Sequence, residues 1–189
     1  MKKTLLAAAL AAAMPCVAMA MASDIGTVTV DGSTVSASFD QDNSIVVGND
    51  AAQTVEITNS GNPALWISGT PAGTATILGK QIILKSDSNT FGDGVEAGAG
   101  NTASLGSASS ESVTLDGTRF GAMASGGTVN ITADDVMVNG GQTGLWAQNS
   151  GTDRGAIHIN ANNVDIKAED YAVLSLKSDV SITASTLNV

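Results

Sequence analysis

Cysteine is all but missing. The only one, Cys16, lies within a segment that reads as an export signal, so the cleaved chain would hold none. That excludes disulfides, Cys-ligated zinc, iron–sulfur clusters and thiol nucleophiles together. Histidine is reduced to His158, so a His-based metal site or catalytic triad would rest on one imidazole. Aromatic residues are 3% of the chain and prolines number three. Basic residues are scarce as well, 8 against 18 acidic ones, for a net charge of −10. Losing Lys2 and Lys3 with the signal takes the charge to −12. Such a surface argues against nucleic acid, which needs Lys and Arg to displace its counterions. It also argues against docking on anionic lipid. No stretch after the N-terminus is apolar enough to cross a bilayer. The 189 residues suffice for one domain or two small ones, and a hydrophobic content of 43% argues against a disordered chain.

The first twenty residues, MKKTLLAAALAAAMPCVAMA, have the order of a secretory signal: two lysines, an apolar run, then small residues. Ala18-Met19-Ala20 offers a cleavage site, and Ala20-Met21-Ala22 repeats it. The run is too short for a membrane-spanning helix. Pro15 before Cys16 argues against a lipoprotein, whose acylated Cys follows a small residue. The chain therefore divides into a signal at 1–20, an N-terminal capping coil at 21–50, and repeats over 51–189.

Those repeats are the main feature. ITADDVMV (131–138), INANNVDI (159–166) and ITASTLNV (182–189) align without gaps, and ILGKQIIL (77–84) keeps their apolar positions. The closing apolar pair recurs at Val28/Val30, Val55/Ile57, Ile82/Leu84, Val113/Leu115, Val136/Val138, Val164/Ile166 and Leu187/Val189. The intervals run from 23 to 31 residues. A second alternating stretch follows most pairs: ALWISG (64–69), RFGAMASG (119–126), TGLWAQNSG (143–151) and YAVLSLKS (171–178). Alternation with a period of two means strands, and Gly, Asn, Asp and Ser between them mark turns.

Three short strands per repeat predict an all-β fold, a right-handed parallel β-helix of about seven coils. A β-sandwich would need hairpin-linked antiparallel pairs, and a propeller blade needs about 40–45 residues. Ile131, Ile159 and Ile182 should stack inward while His158 faces out. The Gly/Ala/Ser-rich segment 91–111 reads as a loop bulging from its coil, with Val95 and Leu105 still inward. The chain stops mid-repeat at Leu187-Asn188-Val189, which predicts an open edge and end-to-end self-association.

Candidate chemistry is thin. Asp134-Asp135, Asn162-Asn163 and Ser185-Thr186 share one repeat position and could offer oxygens to Ca²⁺. The acidic pair is not repeated, so a polar turn ladder is the better reading. Gly92-Asp93-Gly94 has none of the tandem nonapeptides of calcium-binding repeats. GDGVEA (92–97) fits a loose dinucleotide pattern, but no amphipathic helix follows it. A carbohydrate-active enzyme would need acidic groups in an outer groove, with Asp153, Arg154, His158, Asp165, Glu169 and Asp170 as its candidates. Trp66 and Trp146 occupy matching repeat positions and would pack on neighbouring turns or form a binding stripe.

The signal ending AMA and the repeat VNITADDVMVNGGQTGLWAQNSG resemble the passenger region of a Gram-negative autotransporter over residues 24–189. The resemblance implies an exported adhesin or stalk at the cell surface or outside the cell, periplasmic where the translocator is absent. It carries over no catalytic residue. No C-terminal translocator barrel is recognised in this sequence, which reads as a passenger fragment or a protein without one. The expectation is thus a non-enzymatic β-helix with no catalytic, cofactor or metal residue assigned, facing a cell-surface protein or glycan. A polysaccharide lyase or hydrolase is the alternative.

Overall fold

The computed structural model describes residues 27–30, 33–36, 45–49, 54–68 and 72–189. The expected signal at 1–20 and much of the expected cap at 21–50 lie outside these residues.

The described chain is a parallel β-solenoid of about five turns, built from seventeen strands and no helix. Each turn carries three strands. The first wall stacks β3 (Ile45–Gly48), β6 (Thr74–Leu78), β9 (Thr102–Gly106), the first half of β12 (Thr128–Gly140), the first half of β14 (Ala156–Ala168) and β16 (Asp179–Thr183). The second stacks β4 (Thr54–Asn59), β7 (Gln81–Ser86), β10 (Ser112–Gly117), the second halves of β12 and β14, and β17 (Thr186–Asn188). The third is a separate five-stranded sheet of β5 (Leu65–Ile67), β8 (Asp93–Ala97), β11 (Phe120–Ser125), β13 (Thr143–Gln148) and β15 (Tyr171–Leu176).

The expected inward ladder is present. Val55, Ile82, Val113, Val136, Val164 and Leu187 stand in successive register, and so do Ile57, Leu84, Leu115, Val138 and Ile166. Leu105, Ile131, Ile159 and Ile182 form another file. All but the members in the last turn are at most 2% exposed. No coil can bury its own apolar face, so each Ile or Val is covered by the coils on either side.

Two expectations need correction. The pair Val28/Val30 is not a coil of the stack. β1 (Thr27–Val30) runs antiparallel to β4, with Val28 opposite Ile57, and β2 (Ser33–Ser36) pairs antiparallel on its far side. The count is therefore about five turns, with β16 and β17 beginning another, rather than seven. Residue alternation is the same in parallel and antiparallel strands, so the pattern alone did not distinguish them. Segment 91–111 is also not one bulging loop. It contains β8 and β9, and only 107–111 and the preceding 87–92 are extended connections. Val95 and Leu105 are inward, as expected. The link equivalent to 87–92 shrinks to 118–119 and 141–142 in later turns, and that equivalent to 107–111 vanishes where β12 and β14 run unbroken from the first wall to the second, so these two insertions stretch the interval to 31.

The third wall begins at a tight corner. Gly94, Gly121 and Gly144 occupy it in successive turns, with Ala64 and Ala172 at the ends. A Cβ on Gly121 would sit 2.2 Å from Val138 Cγ1, and one on Gly144 2.3 Å from Ile166 Cγ2. Glycine lets the third wall approach the second this closely. The side chains flanking that corner then decide what the outer face presents.

Candidate functional site

The outer face of the five-stranded sheet gathers the few aromatic rings of the chain. Register aligns Trp66, Glu96, Met123, Trp146 and Leu174 across all five strands. A second file, three positions earlier, runs Asp93, Phe120, Thr143 and Tyr171. Phe91 precedes β8, and Arg119 precedes β11. Phe39 is the one aromatic residue of the sequence outside the described residues. The other five all belong to this wall or its edge.

At the centre is an ionic cluster. Asp93 is fully buried, and Arg119 grips it with a parallel fork. Nε donates to Oδ1 at 2.8 Å and Nη2 to Oδ2 at 2.6 Å. The fork suits a planar carboxylate, which is why Arg serves here and Lys would not. The Arg119 backbone N–H also donates to the Gly92 carbonyl at 2.7 Å, which fixes the start of β11 beside β8. The guanidinium lies 4.4 Å from the Phe120 ring centroid and 5.5 Å from that of Phe91. Phe120 meets Trp146 edge-on, 4.5 Å between centroids. Trp146 Nε1 is buried without a hydrogen-bond partner, the one such side-chain atom among the described residues.

Glu96 completes the cluster, its Oε2 3.8 Å from Arg119 Nη2. Burial pushes its carboxyl up to about 7, and the Asp93 carboxylate adds to the rise against the pull of Arg119. The hydrogen bonds that Arg119 donates to Asp93 hold its guanidinium above the usual value. The folded chain therefore holds a proton on Glu96 that the unfolded chain releases near pH 4.5. Stability from this group is full below that value and declines as pH rises towards 7. Glu96→Gln should flatten this slope. By urea unfolding it should gain about 1–3 kcal/mol over the parent at pH 8 and nearly nothing at pH 4. An unchanged pH slope in the variant would refute this assignment.

The residues expected to carry chemistry are dispersed. Asn162 Nδ2 donates to Asp134 Oδ1 at 2.9 Å, and Asn163 Nδ2 to Asp135 Oδ1 at 2.7 Å, on the exposed corner between the first two walls. Ser185 continues that corner, its N–H donating to the Asn162 carbonyl. The polar-ladder reading fits this arrangement, and no group of three metal-ligating side chains occurs among the described residues. His158 is exposed, with Nδ1 3.1 Å from Ser181 Oγ. Asp165 pairs with Lys167 at 2.9 Å on the second wall. Asp153 and Arg154 lie in the turn 149–155, and Glu169 and Asp170 in the link before β15. Asp165 also lines a groove of about 380 Å³ with Asp135, Met137 and Asn163, and Asp153, Arg154, His158, Glu169 and Asp170 are not among its lining residues. The dinucleotide reading of 92–97 is excluded structurally, because β8 is a strand and no helix follows.

Sequence reasoning missed Arg119, Asp93 and Glu96 as a unit. The available signal was the alignment of DGVEA under FGAMA and TGLWA, which places a strand at 93–97. Trp66 and Trp146 do share a file, as expected, and Trp146 packs on Phe120. Comparison of the chain with protein-family models, curated proteins and solved structures gives no match.

Proposed function

We propose that this chain is an exported, right-handed β-helix of the autotransporter-passenger kind, a non-enzymatic adhesin module that binds through the outer face of its third wall. The observation that carries this reading is the concentration of aromatics there. A chain with 3% aromatic residues places Trp66, Phe120, Trp146 and Tyr171 on one wall, with Phe91 at its edge. Trp66 and Phe91 are 38% and 50% exposed, which leaves ring surface for a ligand. Exposed rings beside an anchored guanidinium suit a partner with both apolar and polar groups, such as a glycan or a glycosylated surface protein. The signal-like N-terminus supports export, and among the described residues no helix is long and apolar enough to cross a membrane.

The three converging charges favour a second reading, a glycoside-cleaving enzyme. Such an enzyme needs two carboxyl groups flanking the scissile bond. Asp93 is wholly buried and held by the Arg119 fork, so the cluster offers a ligand only one carboxyl group, that of Glu96. This favours binding over cleavage.

The test uses protein recovered from the envelope of a Gram-negative host, whose mature chain should begin at Met21 or Ser23. It is applied to an array of immobilised glycans and cell-surface glycoproteins. A Trp66→Ser/Phe91→Ser variant should lose binding at least about tenfold, as expected for removing aromatic anchors. Met137→Ser, on the second wall, should bind like the parent. An array with no bound species, or equal binding by the two variants, would contradict the proposal.

A further inference from the structure

Glu96 carries a carboxyl group that its own chain does not fully answer. The cation beside it is Arg119, and both hydrogen bonds of that fork go to Asp93. The approach of Glu96 Oε2 to Arg119 Nη2, 3.8 Å, is too long for a hydrogen bond. The Glu96 side chain is 17% exposed, so it opens on the outer face of the third wall. In register beside it on β5 stands Trp66, on a strand about 4.8 Å away.

The same wall shows what such a pair accepts. On the other side of β8, Asp93 stands in register with Phe120. Arg119 completes that acid–aromatic pair, with its fork on the carboxylate and its guanidinium 4.4 Å from the ring centroid. Glu96 and Trp66 repeat the acid–aromatic pair where β8 meets β5. We propose that this second pair receives an arginine side chain from a protein partner, its guanidinium stacked on the indole and its N–H groups donating to the Glu96 carboxylate. The inference rests on the third wall being the binding face, and it names the chemistry that the partner brings. Arginine is favoured over lysine because a planar fork both stacks on a ring and matches a carboxylate. A net charge of −10 draws a basic partner and repels an acidic one.

Binding is then coupled to proton release. The charged groups that face Glu96 are Asp93 on its own strand and Arg119 before β11, while β5 and β11 bring Trp66 and Met123 next to it. Burial, aided by Asp93 and opposed by Arg119, lifts the carboxyl to about 7. An incoming guanidinium favours the ionised form, so binding sends the Glu96 proton to solvent. Affinity is therefore highest above pH 7 and declines as acid protonates the carboxyl.

Calorimetric titration of the purified chain tests this with a peptide of alternating glycine and arginine. The same peptide carrying lysine, or citrulline as the uncharged isostere, serves for comparison. The arginine peptide should bind about five- to tenfold more tightly at pH 8 than at pH 6. At pH 8 the lysine peptide should bind at least about threefold more weakly, and the citrulline peptide at least about tenfold. Glu96→Gln keeps the shape and should be the more stable chain at pH 8, so affinity lost there is not lost fold. It should bind the arginine peptide at least about fivefold more weakly than the parent at pH 8, and equally at the two pH values. Trp66→Ser should weaken binding at least about fivefold and keep its pH dependence. Glu111→Gln, which removes an exposed carboxylate from the link before β10, should bind like the parent. Equal binding of the arginine peptide and either of the others would overturn the inference. So would a parent affinity indifferent to pH, or equal losses from Glu96→Gln and Glu111→Gln. A chain that binds immobilised glycans through Trp66 and Phe91 but no arginine peptide would also overturn it, while leaving the third wall as the binding face. Silence on the array as well would remove both.

Discussion

Replacing Ile159 with Asp should unfold most of the chain at room temperature, while His158→Asp, one residue away, should be nearly silent. Ile159 is 1% exposed and lies in register between Ile131 and Ile182. A carboxylate there meets only aliphatic neighbours from the flanking coils. Losing the side chain's packing and burying an unpaired carboxyl should together cost about 4 kcal/mol or more. Protonation relieves part of this, so the variant should recover some stability at low pH. His158 points outward, so Asp there meets solvent and should change stability by less than about 0.5 kcal/mol. Denaturant unfolding of both variants checks the claim, and equal losses would mean that the inward and outward files are misassigned.

The second large effect is expected at Arg119. Arg119→Ala removes both hydrogen bonds to a fully buried Asp93 and leaves that carboxylate beside Glu96. Breaking one partner of a buried pair should cost about 3–5 kcal/mol. The substitution also strips the cation from the faces of Phe91 and Phe120. Arg119→Lys should recover little, because one ammonium cannot reproduce the fork. Arg119→Ala/Asp93→Ala should be less damaging than Arg119→Ala alone, since no orphaned charge remains. A single variant within about 1 kcal/mol of the parent would show that the pair is not a buried anchor.

The stacked walls were legible because coil geometry repeats the same demand at the same position. Val55, Ile82, Val113, Val136 and Val164 are all β-branched and apolar because each fills the same slot above its predecessor. What stayed hidden was hidden for physical reasons. β8 escaped notice because Asp93 and Glu96 stand where other turns have Phe120, Met123 or Trp146, so polar residues interrupt an otherwise apolar outer file. Two insertions, at 87–92 and 107–111, also displaced it from the regular interval. Its Gly94 and Ala97 keep the corner and core positions and carry the true alignment. The Arg119–Asp93 pair spans 26 residues, and only the stacking of one turn on the next makes them neighbours. The reversed direction of β1 lay outside what alternation encodes. The groups that looked chemical, Asp134, Asp135, Asn162 and Asn163, instead hydrogen-bond one another along a corner.

The central claim is the parallel stacking of successive turns, from which the aromatic wall and the ionic cluster both follow. Methyl–methyl nuclear Overhauser contacts in isoleucine-labelled protein test it most directly. Ile131 should show a contact to Ile159, and Ile159 to Ile182, with no direct contact between Ile131 and Ile182. Absence of the two sequential contacts, or a strong one between Ile131 and Ile182, would contradict the solenoid.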